Sequence, residues 1–378
     1  MHNKYVIIAF AFFLACENSP TDAGAVKIDI DLDSLFAAPT TAEIAQVEAD
    51  WQSRDISARN ISLLLTDTVA INVEVMILQV ISHQVDMSTH VGALFSPLAG
   101  LGSNPNILVY LHGGELGTFT FEISTLLSDM DIDLSNTLLV VPSFRGEHFY
   151  HESMFYYSSG SESPWDRDVD DALALVNAAI VHHSITGAPI IALLGFSRGA
   201  GVGLLMSIRD PRITGLVEFF GPTDFFGSFV REVAQEVFEG NPRNLPGLNY
   251  ISENFLLPLQ NGELEMDEVR LEMVRRSAVL FADQLPMLQI HHGREDSTVY
   301  VSQAESLISA LEALGDQAPY YEPYLYDIGG HWPWDLAGSL DKAGRFLNNL
   351  LSGVAVEPPA LPADPPSPGI DLAHSFQD

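Results

Sequence analysis

Apolar positions along this chain fall into two kinds of run. Six short blocks are continuous: Ile107–Leu111, Leu138–Val141, Ile190–Leu194, Leu216–Phe220, Met287–Ile290 and Tyr324–Tyr326. Unbroken apolar runs of strand length predict strands covered on both faces, as in parallel sheets. Between them the spacing turns helical. In 166–183, Val169, Ala172, Leu173, Val176, Ala179 and Ile180 share one helix face, a stripe that reads as core packing. Residues 303–314 predict a further helix, and Val73–Ile77 with Val91–Phe95 an opening antiparallel pair. Alternating strands and helices predict a doubly wound, mostly parallel α/β sheet. One stretch breaks the rhythm. Residues 225–284 are helically patterned but longer than a simple crossover, and they read as a helical cap inserted over a pocket. A peripheral helix pair is the alternative.

The two ends differ from this body. Behind His2-Asn3-Lys4, residues Tyr5–Ala15 form an uninterrupted apolar run. It is too short for the ~20 residues of a membrane-spanning helix, so 1–16 reads as a signal peptide. Its end, Phe13-Leu14-Ala15-Cys16, resembles the lipobox of bacterial lipoproteins, with Phe13 where leucine is commonest. That resemblance implies acylation at Cys16 and an exported, membrane-anchored protein, periplasmic or on the cell surface. Residues 17–57 read as an acidic tether with a short helix from about Ala42. Six prolines between Val354 and Gly369 make 353–378 a tail. The folded domain is then 58–352.

Charge narrows the choice of partners. Seventeen Lys+Arg against fifty Asp+Glu give −33. Such a surface repels phosphate backbones and anionic lipid, which excludes nucleic acid and leaves a Cys16 lipid chain as the expected membrane contact. A single cysteine excludes an intrachain disulfide and a Cys-based zinc site. No metal or cofactor is expected. His148, His151 and Glu152 read as a solvated loop. Asp166, Asp168, Asp170 and Asp171 read as a solvated helix start that suits the helix dipole.

The candidate chemistry lies where strands end. After Ile190–Leu194 comes Gly195-Phe196-Ser197-Arg198-Gly199, a G-x-S-x-G pattern between a strand and a helix. A serine at such a turn needs strained backbone and small neighbours two residues away. Ser197 is therefore the candidate nucleophile. Arg198 reads as a surface helix residue that contributes its backbone N–H. Serine is a weak nucleophile near neutral pH, so an imidazole must take its proton and a carboxylate must orient that imidazole. His331, after Gly329-Gly330, is the candidate base. Asp296, after the strand Leu288–Ile290, is the favoured acid, with Glu295 and Asp224 as alternatives. Strand Leu108–Leu111 runs into His112-Gly113-Gly114. Gly113 or Gly114, within the stretch 113–116, together with Arg198, would offer N–H groups to a developing oxyanion. His112 reads as structural.

HGG at 112–114, PSFRG at 142–146, GFSRG at 195–199, HHGREDSTV at 291–299 with Gln303, and GGH at 329–331 together resemble the catalytic domain of prolyl oligopeptidase-family serine peptidases and their esterase relatives. The resemblance covers about 70–352. It implies an α/β-hydrolase fold with Ser197 as nucleophile, Asp296 as acid and His331 as base. Peptidases of that family carry a β-propeller of several hundred residues, for which this chain has no room. The expected activity is hydrolysis of a small-molecule ester or of a peptide amide through an acyl-enzyme. A carboxylesterase or a deacetylase acting on polysaccharide is the alternative within the class. A catalytically silent binding protein on the same fold is the alternative outside it.

Overall fold

The computed structural model describes residues 27–71 and 74–353. Cys16, with the signal peptide and lipid-anchor expectation, lies outside the described residues, as does the proline-rich stretch from 354.

Nine strands form the main sheet: β1 (Arg59–Ile71), β2 (Glu74–Val85), β3 (Ser88–Pro97), β4 (Asn106–Leu111), β5 (Thr137–Pro142), β6 (Ile191–Phe196), β7 (Ile213–Phe219), β8 (Met287–Gly293) and β9 (Tyr321–Tyr326). Their order is β1-β2-β3-β5-β4-β6-β7-β8-β9. The first three are antiparallel, as is the β3–β5 pairing, and β4 to β9 are mutually parallel. The main helices are α1 (Thr41–Ser53), α2 (Thr120–Asp129), α3 (Arg167–His182), α4 (Arg198–Arg209), α5 (Ser228–Phe238), α6 (Met266–Arg276), α7 (Ser302–Ala313) and α8 (Ser339–Leu351). The mostly parallel, doubly wound sheet is therefore present.

Continuous apolar strands are explained by two cores. Along β4, Ile107, Val109 and Leu111 enter one core with α3, α4 and α7, while Leu108 and Tyr110 enter the other with α2 and α8. Each successive side chain is buried because the pleat sends it to a covered face.

Three sequence expectations are corrected. The first concerns the tether. From residue 27 onward the chain packs against the body. Leu35, Val47 and Trp51 are core residues, and α1 starts with a reciprocal Thr40–Glu43 capping box. Arg270 of α6 donates to the carbonyls of Ser34, Leu35 and Ala37 and to the Glu43 carboxylate. One guanidinium thus satisfies carbonyls left open at a short helical turn, an arrangement that local acidity conceals.

The second concerns the aspartates that open α3. Asp166, Asp168, Asp170 and Asp171 are buried. Arg54 reaches Asp166 and Asp170, Arg145 holds Asp171 in a two-pronged bond of 2.6 and 2.7 Å, and Arg198 holds Asp168. Buried carboxylates are tolerable only when paired in this way. The third concerns His151, which is buried. Its ring nitrogens meet Thr120 Oγ1 at 3.2 Å and Asp67 Oδ2 at 3.0 Å. Asp67, His151 and the exposed Glu152 lie close enough to share an ion, but both ring nitrogens already have partners.

Candidate active site

Every candidate residue sits beyond the C-terminal end of a parallel strand, where open α/β sheets place their ligands. Ser197 follows β6 and precedes α4 with φ 52° and ψ −117°, a conformation that costs an L-residue steric strain. The turn is possible because strand and helix nearly touch. A Cβ on Gly199 would lie 2.1 Å from the Leu111 carbonyl oxygen, and one on Gly195 would lie 2.6 Å from the Gly199 oxygen.

Three loops converge there. His331 Nε2 is 2.8 Å from Ser197 Oγ, and His331 Nδ1 is 2.7 Å from Asp296 Oδ2. The other Asp296 oxygen accepts the backbone N–H groups of Thr298 at 2.8 Å and Val299 at 3.0 Å. His292 Nε2 lies 3.4 Å from Oδ2. Burial alone would raise the Asp296 carboxyl. Hydrogen bonds from His292 and His331 outweigh it and hold the group well below the usual carboxylate range. A carboxylate so held stays ionised and fixes the imidazole with Nε2 facing the serine.

The two rival acids point elsewhere. Asp224 Oδ1 accepts the Phe226 N–H at 2.9 Å. Glu295 is exposed, and its carboxylate accepts the Gly329 N–H at 3.3 Å. Asp296 is the candidate that reaches His331.

The HGG loop lies against the serine. A Cβ on Gly113 would sit 3.1 Å from Ser197 Cβ, and Gly114 has φ +75°. The first N–H groups of α4, Arg198 among them, have no intrahelical acceptor. The HGG loop and the start of α4 thus flank Ser197. Arg198 itself is not on the surface. Its side chain is 1% exposed and lies between Asp168 (2.8 Å), Glu147 (2.6 Å) and the Gly114 carbonyl (3.3 Å), over the Phe144 ring. Glu147 also meets His112 Nε2 at 3.1 Å. Burial would raise the Glu147 carboxyl, but His112 and Arg198 together bring it below its ordinary value. This buried network braces the loop against the helix. In the sequence Glu147 went unnoticed and Asp168 read as part of a solvated helix start, because they lie 51 and 30 positions before Arg198.

Residues of the stretch 225–284 line a recess that reaches Ser197. Glu115 of the HGG loop accepts the backbone N–H of Gly247 in the insertion, a clasp between loop and cap. Two recesses meet at Ser197. One runs under the cap, walled by residues such as Phe225, Phe229, Val233 and Met273. The other contains Gly113, Gly114, Glu122, His331, Trp332 and Trp334. Glu122 is half-buried there, and burial raises its carboxyl.

No family model matches the sequence, and no curated protein matches it. Solved structures do resemble the fold. Acetyl xylan esterase 1 from Thermoanaerobacterium sp. JW/SL YS485 superposes with a TM-score of 0.58 at 14% identity, covering 85% of this chain and 99% of that one. An acetyl xylan esterase from Paenibacillus sp. R4 gives 0.54 at 15%, covering 84% and 99%. Pyrococcus horikoshii acylaminoacyl peptidase gives 0.50 at 13%, with 77% of this chain on 46% of that one. The chain has the α/β-hydrolase fold.

Proposed function

We propose that this chain is a serine hydrolase that cleaves an ester through an acyl-enzyme. The observation that carries the reading is the continuous Ser197–His331–Asp296 hydrogen-bonded line at a strained strand-to-helix turn. Ser197 Oγ attacks the substrate carbonyl carbon while its proton passes to His331 Nε2. Asp296 steadies the resulting imidazolium. The carbonyl oxygen becomes an oxyanion, held by N–H groups of the Gly113–Gly114 loop and of Arg198. The bond to the leaving oxygen then breaks, and that oxygen takes the proton from His331. Water, deprotonated by the same imidazole, releases the acid and restores Ser197. A neutral binding protein would have no use for a strained serine in line with a base and a buried acid.

Ester hydrolysis is favoured over peptide cleavage. The match covers less than half of the peptidase of similar fold, whereas both esterases match over nearly their whole length. Export and a lipid anchor at Cys16 remain part of the proposal on the sequence pattern alone. A panel of p-nitrophenyl esters beside peptide p-nitroanilides tests the reading. Ester turnover at least a hundredfold above amide turnover, abolished in Ser197→Ala, is expected. Turnover that survives Ser197→Ala would place the chemistry elsewhere.

A further inference from the structure

The proposed acyl-enzyme has one property that the geometry of the two recesses assigns. The tetrahedral carbon on Ser197 carries three groups besides the serine oxygen: the oxyanion, the leaving oxygen and the acyl chain. The oxyanion faces the Gly113–Gly114 loop and the start of α4. The leaving oxygen must face His331 Nε2, which protonates it. His331, Trp332 and Trp334 all line the recess to which the cap contributes Pro246 alone. That recess is thereby the leaving-group side. The remaining direction from Ser197 leads into the recess under the cap, which His331 does not line.

This second recess is built for hydrocarbon. Its walls come from α5 and α6, from the short turn around Leu248–Ile251 and from Phe225. Phe229, Val233, Ala234 and Leu248 of this wall belong to a core cluster of their own. Its cavity volume is about 100 Å³. The two charged side chains in the cap's share of the wall cancel. Arg276 Nη1 donates to Glu272 Oε2 at 2.6 Å, and the guanidinium lies over the Phe255 ring. Arg198 is engaged with Asp168 and Glu147. An acetyl methyl would leave almost all of this apolar surface without a partner.

We propose that the cap recess is an acyl-chain site and that the preferred substrates are esters of medium-chain, apolar carboxylic acids rather than acetates. The inference rests on the serine-hydrolase reading. It goes beyond it in naming the acyl class, and it departs from the acetyl esters for which the similar acetyl xylan esterases are named.

The test uses the full chain with p-nitrophenyl acetate, butyrate and octanoate. A buried methylene is worth roughly fourfold, and six methylenes separate octanoate from acetate. Incomplete burial should still raise kcat/KM at least tenfold from acetate to octanoate. Ala234→Trp, which fills the recess, should lower the octanoate-to-acetate ratio at least tenfold. A measurement on the unaltered protein accompanies the variant: octanoic acid should inhibit competitively at a concentration at least tenfold below acetic acid. Turnover that is flat or falls with chain length, with equal inhibition by the two acids, overturns the acyl-site assignment and leaves the serine-hydrolase reading intact. Absence of turnover of any ester overturns both.

Discussion

Arg198 shows how much of a site can depend on one buried side chain that holds two carboxylates. Replacing it with methionine would leave Asp168 and Glu147 buried and without their guanidinium. Losing one partner of a buried pair costs about 3–5 kcal/mol, so Arg198→Met should lower the unfolding free energy by that order in a denaturant titration. A midpoint unchanged from the parent would show that the network is dispensable. The acid assignment is tested at the same scale. Asp296→Asn should cost roughly 10⁴ in turnover, because a neutral amide can hold the wrong imidazole tautomer. Asp224→Asn, which touches a backbone N–H rather than His331, should cost less than tenfold. Reversed costs would move the acid to Asp224. Ser197, Asp296 and His331 could be picked out of the sequence because each stands within three residues of a glycine at a strand end, a local signal. Arg198 was misjudged as a surface residue because its partners come from other loops, and nothing within a helical turn of it reveals them.

At the level of elements, strands buried on both faces announced themselves by unbroken apolar runs. β1 did not. It lies at the sheet edge with Leu63 and Leu64 about half exposed, and its burial alternates weakly along thirteen residues. An edge strand mixes polar and apolar residues without a clean period, so only its pairing to β2 defines it. The aspartates opening α3 misled for the opposite reason: a polar sequence was buried by arginines from the residue that ends α1, from α4 and from the loop after β5. The β6–α4 junction gives the sharpest element-level prediction. Gly199→Ala would drive a methyl into the Leu111 carbonyl. Strand and helix must then separate, at about 1–3 kcal/mol or more, and Ser197 moves away from His331. A melting temperature several degrees lower together with a drop in kcat of at least tenfold is expected. Parent-like values for both would mean that the close approach is not required.

The whole molecule carries −33 formal charges, and its self-repulsion should respond to screening. The melting temperature should rise from 10 mM to 1 M NaCl; a flat curve would count against that reasoning. Acid should act in the opposite sense. Burial depresses His83 and His183 to about 4, and His90 and His291 to about 3. Below about pH 6.5 the unfolded chain takes up protons that these four imidazoles refuse in the fold, so stability is lost as pH falls from there toward 4. Asp171 and Glu218, raised by burial to about 7, oppose this, since the fold holds their protons over the same window. Asp168 and Glu122, also raised by burial, oppose it too, whereas Asp296, Glu43 and Glu147, held low by their partners, add to the loss; the denaturation midpoint should be lower at pH 5 than at pH 7. An equal or higher midpoint at pH 5 would reverse the sign. All these features frame one claim, that Ser197 is the residue that becomes acylated. Its most direct measurement is the mass of the protein after reaction with a fluorophosphonate, followed by peptide mapping. The account predicts one adduct per chain, on the peptide bearing Ser197, and none in Ser197→Ala. An adduct on another residue, or labelling that persists in Ser197→Ala, would contradict it.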